Sequence, residues 1–210
     1  MTTIFVTSDW HWFHPLVATQ HRGYRLPDGS LKLFESVEEH NEILIERFNK
    51  RVTKRDKVVF LGDSNAGKER DALELIATRL NGLSKHIVFG NHDSGHPMHE
   101  KSQVNQRRFV GAFDSVASIG RLKIAGQRVM TSHFPFLVDH TYRPRYNMWR
   151  PRPEPQDDGL PQWLLHGHTH LNVRRTGIRE IHVGVDAWDL YPVAIDEIAA
   201  LMKETYDPDS

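Results

Sequence analysis

Five short polar clusters in this chain carry residue types that bind metal ions or move protons. They are Asp9 and His11 in TSDWH, Asp63 in LGDSN, Asn91, His92 and Asp93 in GNHD, His133 in TSHF, and His168 and His170 in GHTH. A lone Asp or His beyond a strand is most often a cap or turn residue. Five such clusters, each behind a short apolar run, carry more weight, because strand ends are where α/β folds build their sites. The pairs Asp9/His11 and His168/His170 are spaced i, i+2, which in extended backbone aims both side chains the same way. Asp9, His11, Asp63, Asn91, His133, His168 and His170 offer seven O and N donors. That is more than one Zn²⁺ takes, without the carboxylate-rich cage of Ca²⁺. The inventory predicts two divalent ions sharing Asp63, with one carboxylate oxygen on each ion, while the Asn91 amide adds a ligand without charge. Two dications less two carboxylates leave about +2, or about +1 with a hydroxide bound, and such a site attracts phosphate.

The elements that must position these residues are legible as periodicity. Thr3–Thr7, Lys57–Leu61, His86–Phe89, Val129–Thr131 and Trp163–Leu165 are short, β-branched or aromatic runs and predict buried strands. Ser36 with Glu39 predicts a capping box ahead of Ile43, Leu44 and Phe48. Leu73, Ile76, Ala77 and Leu80 fit a helix stopped by Asn81-Gly82. Beyond residue 112, Ser115–Ile119, Arg121–Ala125 and Gln127–Thr131 predict three consecutive antiparallel strands, and Ile195–Lys203 a closing helix. The order β-α-β-α-β gives an α/β class. With 210 residues, 39% hydrophobic and 26% charged, the expectation is one globular domain over 1–210, neither membrane-spanning nor disordered. Zero cysteines exclude thiolate catalysis, Fe–S clusters and Cys-based zinc sites. The 14 histidines, in no run resembling a tag, point to imidazole chemistry. No charged segment followed by an apolar stretch opens the chain, so a cytoplasmic setting is expected.

The order D-x-H, G-D, G-N-H-D, lone H, G-H-x-H resembles the motif set of the calcineurin-like metallophosphoesterases, spanning most of the chain. The resemblance is to the small bacterial and phage members. It implies a β-sandwich flanked by α-helices in four α/β/β/α layers. One metal would be held by Asp9, His11, Asp63 and His170, and the other by Asp63, Asn91, His133 and His168. Mn²⁺ comes first among the ions, with Fe, Zn²⁺, Ni²⁺ and Mg²⁺ as alternatives. The implied chemistry is in-line attack on phosphorus by a metal-activated hydroxide. His92 would protonate the leaving oxygen or steady the phosphoryl oxygens, and Asp93 would orient the His92 ring or serve only as a turn residue.

Other readings are weaker. Gly62–Lys68 reads G-x-x-x-x-G-K, but Glu69 stands where a P-loop needs Ser or Thr, and no H-E-x-x-H occurs. His14 stands near enough to His11 to touch substrate or to back up a ligand. Asp186 could orient a ligand histidine but reads first as a turn residue, His166 reads as pointing away from the site, and His96 is a candidate for its rim. Two loops are candidates for substrate selection: 12–34, with His21, Arg22, Tyr24 and Arg25, and 134–161, six of whose residues are proline. The second loop's Arg143, Arg145 and Arg150, interleaved with Tyr146 and Trp149, match the arginine-plus-aromatic combination that grips nucleotides and single strands. The favoured function is a nucleotide or cyclic-nucleotide phosphodiesterase with a small phosphoester substrate and neither membrane nor protein partner. Alternatives are a nuclease on single-stranded nucleic acid, disfavoured by the zero net charge, a phosphomonoesterase or phosphoprotein phosphatase, and a metal-binding scaffold that recruits a partner.

Overall fold

Alternation along the short apolar runs sets the architecture. In the computed structural model, which describes residues 2–136 and 144–206, the chain forms β1 (Ile4–Thr7), β2 (Gly23–Arg25), β3 (Leu31–Leu33), α1 (Val37–Arg51), β4 (Lys57–Phe60), α2 (Glu69–Arg79) and β5 (Ser84–Val88). It continues through α3 (Ser102–Phe109), β6 (Ser115–Ala117), β7 (Gly120–Ile124), β8 (Gln127–Thr131), β9 (Trp163–His166), β10 (Arg175–Gly177), β11 (Glu180–His182), β12 (Val193–Ala194) and α4 (Ile195–Leu201). One five-stranded sheet runs β12-β1-β4-β5-β6, parallel except for β12. A second runs β10-β11-β9-β8-β7, with a parallel centre and antiparallel edges.

Neighbouring residues of the first sheet serve opposite faces. Phe5, Val58, Phe60, Ile87 and Phe89 pack with Leu44, Phe48 and Ile76 of α1 and α2. Val6, Val59, Leu61 and Val88 meet Val129, Trp163, Leu165 and Ile181 of the second sheet. Each such side chain contributes about 1.5–3 kcal/mol on burial, and a β-sandwich with helices outside results. The expected α/β sandwich is the one found. No described helix is long and apolar enough to cross a membrane.

Several local expectations hold and others do not. Ser36 Oγ caps α1 by accepting from the Glu39 amide at 3.0 Å, but the Glu39 carboxylate turns to the Glu35 amide, the Tyr24 hydroxyl and Lys32 instead of closing the box. The three antiparallel strands after residue 112 are only two, the hairpin β7/β8. β6 joins the first sheet parallel to β5, because Asp114 and Lys85 exchange two hydrogen bonds at 2.7 and 2.8 Å that lock the pair side by side. No apolar periodicity announced α3, which buries only Ser102 and Phe109. The segment 12–34 is no open loop: it holds a π-helical turn at Val17–His21 and the β2/β3 hairpin. In 134–161, Phe134 and Phe136 are buried and Pro144–Trp149 forms a 3-10 turn.

His40 of α1 is fully buried, packed edge-on against Phe34 at 4.9 Å, with its Nε2 3.2 Å from an Arg22 nitrogen. Burial, then the Arg22 charge, pushes this imidazole down to about 3. Between pH 6.5 and 3 the unfolded chain therefore binds a proton that folded His40 excludes, so stability falls as pH falls, by about 1.4 kcal/mol per pH unit. His40→Gln keeps an acceptor for Arg22 and should flatten the dependence by that amount between pH 6 and 4.5, measured by urea unfolding of chelated protein. Identical slopes in the two proteins would show that His40 titrates freely in the native state.

Candidate metal centre

The ends of β1, β4 and β5 in one sheet and of β8 and β9 in the other deliver the five polar clusters to one edge of the sandwich. Two glycines bring the ends of β4 and β5 into direct contact. A Cβ on Gly62, whose φ is +83°, would lie 2.2 Å from the Gly90 amide nitrogen, and one on Gly90 would lie 2.3 Å from Asp63 Oδ1. The G-D and G-N motifs are thus one contact between two strand ends.

The donor residues leave their strands in an unusual way. Asp9, His11, Asp63, His168 and His170 have φ of 61°, 48°, 51°, 71° and 54°, the left-handed region that non-glycine residues seldom enter. The expectation that Asp9/His11 and His168/His170 converge through extended backbone is therefore wrong in its reason. Both pairs lie past the strand ends, and kinked backbone turns their side chains inward. Cross-loop bonds hold the kinks: Asp9 N–H to the Gly62 carbonyl at 3.1 Å, His11 N–H to that of Asp63 at 3.0 Å, and His168 N–H to both Asp9 oxygens at 3.0 Å.

The donor atoms meet around a single oxygen. Asp63 Oδ2 lies 3.6 Å from His11 Nε2 and 3.4 Å from His133 Nε2. On one side His11 Nε2 faces His170 Nε2 at 3.1 Å, with Asp9 Oδ1 4.0 Å from the latter. On the other, His133 Nε2 faces Asn91 Oδ1 and His168 Nδ1, both at 3.1 Å. Asp63 Oδ1 accepts the His92 amide at 2.9 Å, so Asp63 presents one oxygen to both groups rather than one oxygen to each. Outer partners fix the rings. His133 Nδ1 donates to the Leu61 carbonyl at 2.8 Å and His170 Nδ1 to Asp186 Oδ2 at 2.9 Å, which leaves each Nε2 lone pair aimed inward. His11 Nδ1 is buried without a partner. Lone pairs converging on a carboxylate oxygen fit cations, and Asp9/His11/His170 and Asp63/His133/His168 are sets that could hold them.

The local charge agrees. Burial should raise both carboxylates, yet Asp63 is held well below the usual range by His133, His11 and His92, and Asp9 by His182, His170 and His133. Burial takes His11 and His168 down to about 3. Burial also opposes charge on His133, but Asp63 overrides it and lifts this ring to about 9. Positive charge settles on His133, nearest the Asp63 carboxylate, while burial keeps His11 and His168 neutral.

Of the two roles left open for Asp93, orienting His92 is not the one found, and its bonds to Gly90 within the same turn fit the other. Its fully buried carboxylate accepts the amides of Asp63 at 3.0 Å, Ser64 at 3.0 Å and Gly90 at 2.8 Å, and the Ser64 hydroxyl at 2.5 Å. None of its bonds reaches the His92 ring, so it ties two loops together rather than orienting His92. Asp186, read first as a turn residue, does orient His170, and Arg22 grips it with two nitrogens at 2.8 and 2.9 Å. Arg22 also donates to the carbonyls of Trp10 and Asp9 at 3.1 and 2.8 Å and is 2% exposed, which corrects its place among substrate-selecting residues. Tyr24 is likewise structural, packed on Phe34 and bonded to Glu39. Nothing local in the sequence distinguishes Arg22. His182, 3.9 Å from Asp9 Oδ2 and fully buried, was missed as well, although a histidine inside the apolar strand EIHV was a signal. His166 faces Thr176 and stacks near His182, off the donor cluster.

His92 is half-exposed beside the donors, its Nε2 3.9 Å from Asp63 Oδ2 and its ring 5.1 Å from that of His11. His14 stands next to it, 6.5 Å ring to ring. On the His168 side, Tyr146 is buried against Phe134 and His168, at 5.5 and 5.1 Å, with Arg145 over its outer face. Trp149 packs edge-on against the buried His96 at 5.2 Å. Arg150 is half-buried within electrostatic reach of Glu180. Arg143 lies outside the described residues.

A sequence model of the calcineurin-like phosphoesterases matches residues 2–186. The "Gene 66 protein" of Mycobacterium phage D29 is 35% identical over 214 residues, covering 97% of this chain and 98% of that protein. Its namesake in phage L5 is 34% identical over 209 residues, covering 93% and 95%. A crystal structure of a protein of unknown function from Aquifex aeolicus shares the fold, with a TM-score of 0.62 at 22% identity over 96% of this chain and 100% of that one.

Because Asp63 Oδ2 serves both donor groups, Asp63→Ala should lower metal content below that of Asn91→Ala, which strips one group of one ligand. Mn²⁺ loading, gel filtration and elemental analysis measure this. Equal, undiminished content in Asp63→Ala would remove Asp63 from the centre.

Proposed function

The chain belongs to the calcineurin-like phosphoesterase family, and on that premise we propose that it is a phosphodiesterase with a dinuclear centre, acting on nucleotide-type diesters. The observation that carries the dinuclear reading is the single Asp63 oxygen flanked by two groups of inward-facing donors. Asp9, His11, Asp63 and His170 would hold one divalent ion and Asp63, Asn91, His133 and His168 the other, Mn²⁺ first among those the mixed N/O donors suit. When bound, such ions acidify water and neutralise phosphoryl charge.

The chain's own residues do the rest. The outer bonds of His133 and His170 fix their rings with Nε2 facing inward, and the proton His133 carries there is the charge an ion would displace. His92, anchored through its amide by Asp63 Oδ1, leaves its imidazole at the open side of the donors, where it delivers a proton to the departing oxygen. His14, close beside it, steadies a phosphoryl oxygen. Arg145, Arg150 and Trp149 form the wall on the His168 side, and Arg143, from the same stretch of sequence, is assigned a substrate-binding role with them. A diester is favoured over a phosphoprotein because these walls offer cations and rings close to the centre. The proposal includes a single-domain enzyme in a cytoplasmic setting.

His92→Ala should retain its metals and lose roughly 10²- to 10⁴-fold in rate on a diester with a poor leaving group. The loss should shrink on bis-nitrophenyl phosphate, whose leaving group needs no proton. Equal losses on both substrates would rule out His92 as the acid, and a chelator-insensitive rate would overturn the metal-dependent reading.

A further inference from the structure

The donor cluster has a second wall, opposite the one carrying Tyr146 and Trp149. Beside His170 and Asp186 the surface opens into a cavity of about 450 Å³, large enough for a ligand fragment well beyond one phosphate. One side comes from the 22–31 segment, with Arg25 and Leu31, and the other from Asn172 and Arg174, which the sequence left without a role. The carboxylates of this cavity are already neutralised. Asp186 is held by Arg22 and His170, and Asp189 by Arg47 at 2.8 Å.

Its two remaining guanidinium groups are not. Neither Arg25 nor Arg174 pairs with a carboxylate among the described residues. Arg174 is also held in place: its Nε donates to the Ala187 carbonyl at 3.2 Å and its plane lies over the Trp188 ring at 4.2 Å. The face and one nitrogen of that fork are thereby used, and the terminal nitrogens remain for an anion. Arg25 gives one nitrogen to the Gly29 carbonyl at 3.0 Å on the rim of the same cavity. Exposed Leu31 and buried Leu190 add apolar surface between the charges.

We propose that this cavity is a substrate subsite for a second phosphate, carried on the same ester arm as the phosphate at the centre, with Arg174 and Arg25 as its binding residues. The inference rests on the phosphodiesterase reading and narrows its substrate to phosphoesters with a further phosphate about one sugar away, as in nucleoside 3′,5′-bisphosphate units. The His170 edge, shared by cavity and centre, puts the two phosphates on adjoining ground.

The test compares thymidine 5′-(nitrophenyl phosphate) with its 3′-phosphorylated form, and both with bis-nitrophenyl phosphate, on the Mn²⁺-loaded protein. The 3′-phosphate should lower KM about tenfold or more, the worth of a charge-assisted bond. Arg174→Gln and Arg25→Gln should each erase most of that gain and leave bis-nitrophenyl phosphate turnover unchanged. Arg25, on the exposed hairpin, serves if Arg174→Gln melts early. Calorimetric titration with thymidine 3′,5′-bisphosphate and thymidine 5′-monophosphate, with and without metal, should show the same arginine-dependent gap. Turnover with no gain from the 3′-phosphate would overturn the subsite and spare the phosphodiesterase. An arginine-dependent binding gap with no turnover would keep the subsite and overturn the phosphodiesterase. Absence of both would overturn both.

Discussion

Everything in this molecule is arranged around the cost of aiming several electron pairs at one point. His11, His170, His133, His168 and Asn91 direct donor atoms toward the neighbourhood of Asp63 Oδ2, at separations of 3.1–3.6 Å. Without a cation such an arrangement is repulsive, and in a buried setting water does not screen it. The lift of His133 to about 9 expresses this, since a proton settles where nothing else supplies positive charge. The fold must hold the arrangement together ahead of any ion.

It does so by spending hydrogen bonds that have no other use. Five donor residues sit at positive φ, each costing on the order of 1–3 kcal/mol, and the amides of Asp9, His11, Asp63 and His168 are each tied to a neighbouring loop. His40, Arg22, Asp186 and His170 form a continuous chain from α1 to the donors. Burying a guanidinium and a carboxylate is unfavourable unless their bonds are well satisfied. Arg22 satisfies that condition with Asp186 and two backbone carbonyls. The reward is orientation, since the ring of His170 has one position compatible with Asp186.

Much of this was legible in the sequence, and the divide is physical. Short apolar runs ending in polar residues are local signals, so β1, β4, β5, β8, β9, the β7/β8 hairpin, α1, α2 and the seven candidate donors could be read from spacing and residue type. The partner of a strand is not local: β6 looked like part of a hairpin because the Asp114–Lys85 exchange that sends it to the other sheet joins residues far apart in sequence. For the same reason Arg22 looked like a loop arginine and Asp93 like a helper of His92. Their distinguishing partners, Asp186 for Arg22 and the amides of Asp63 and Ser64 for Asp93, come from elsewhere in the chain. The i, i+2 spacing carried the right residues with the wrong backbone, because a strand's alternation cannot be extended past its last residue.

The loops that carry the donors differ from ordinary surface loops in one respect. The Asp93 carboxylate takes up three backbone amides from two of them, and Gly62 meets Gly90 with no room for a methyl group between. Segments built this way cannot fray separately from the sheets, and they open only when the sandwich opens. Little conformational entropy would then be lost on binding a cation there, so affinity would not be diluted by an ordering step. A centre of this kind accommodates little, and discrimination among substrates falls to whatever surrounds it, where Arg145, Arg25 and the hairpin stand exposed.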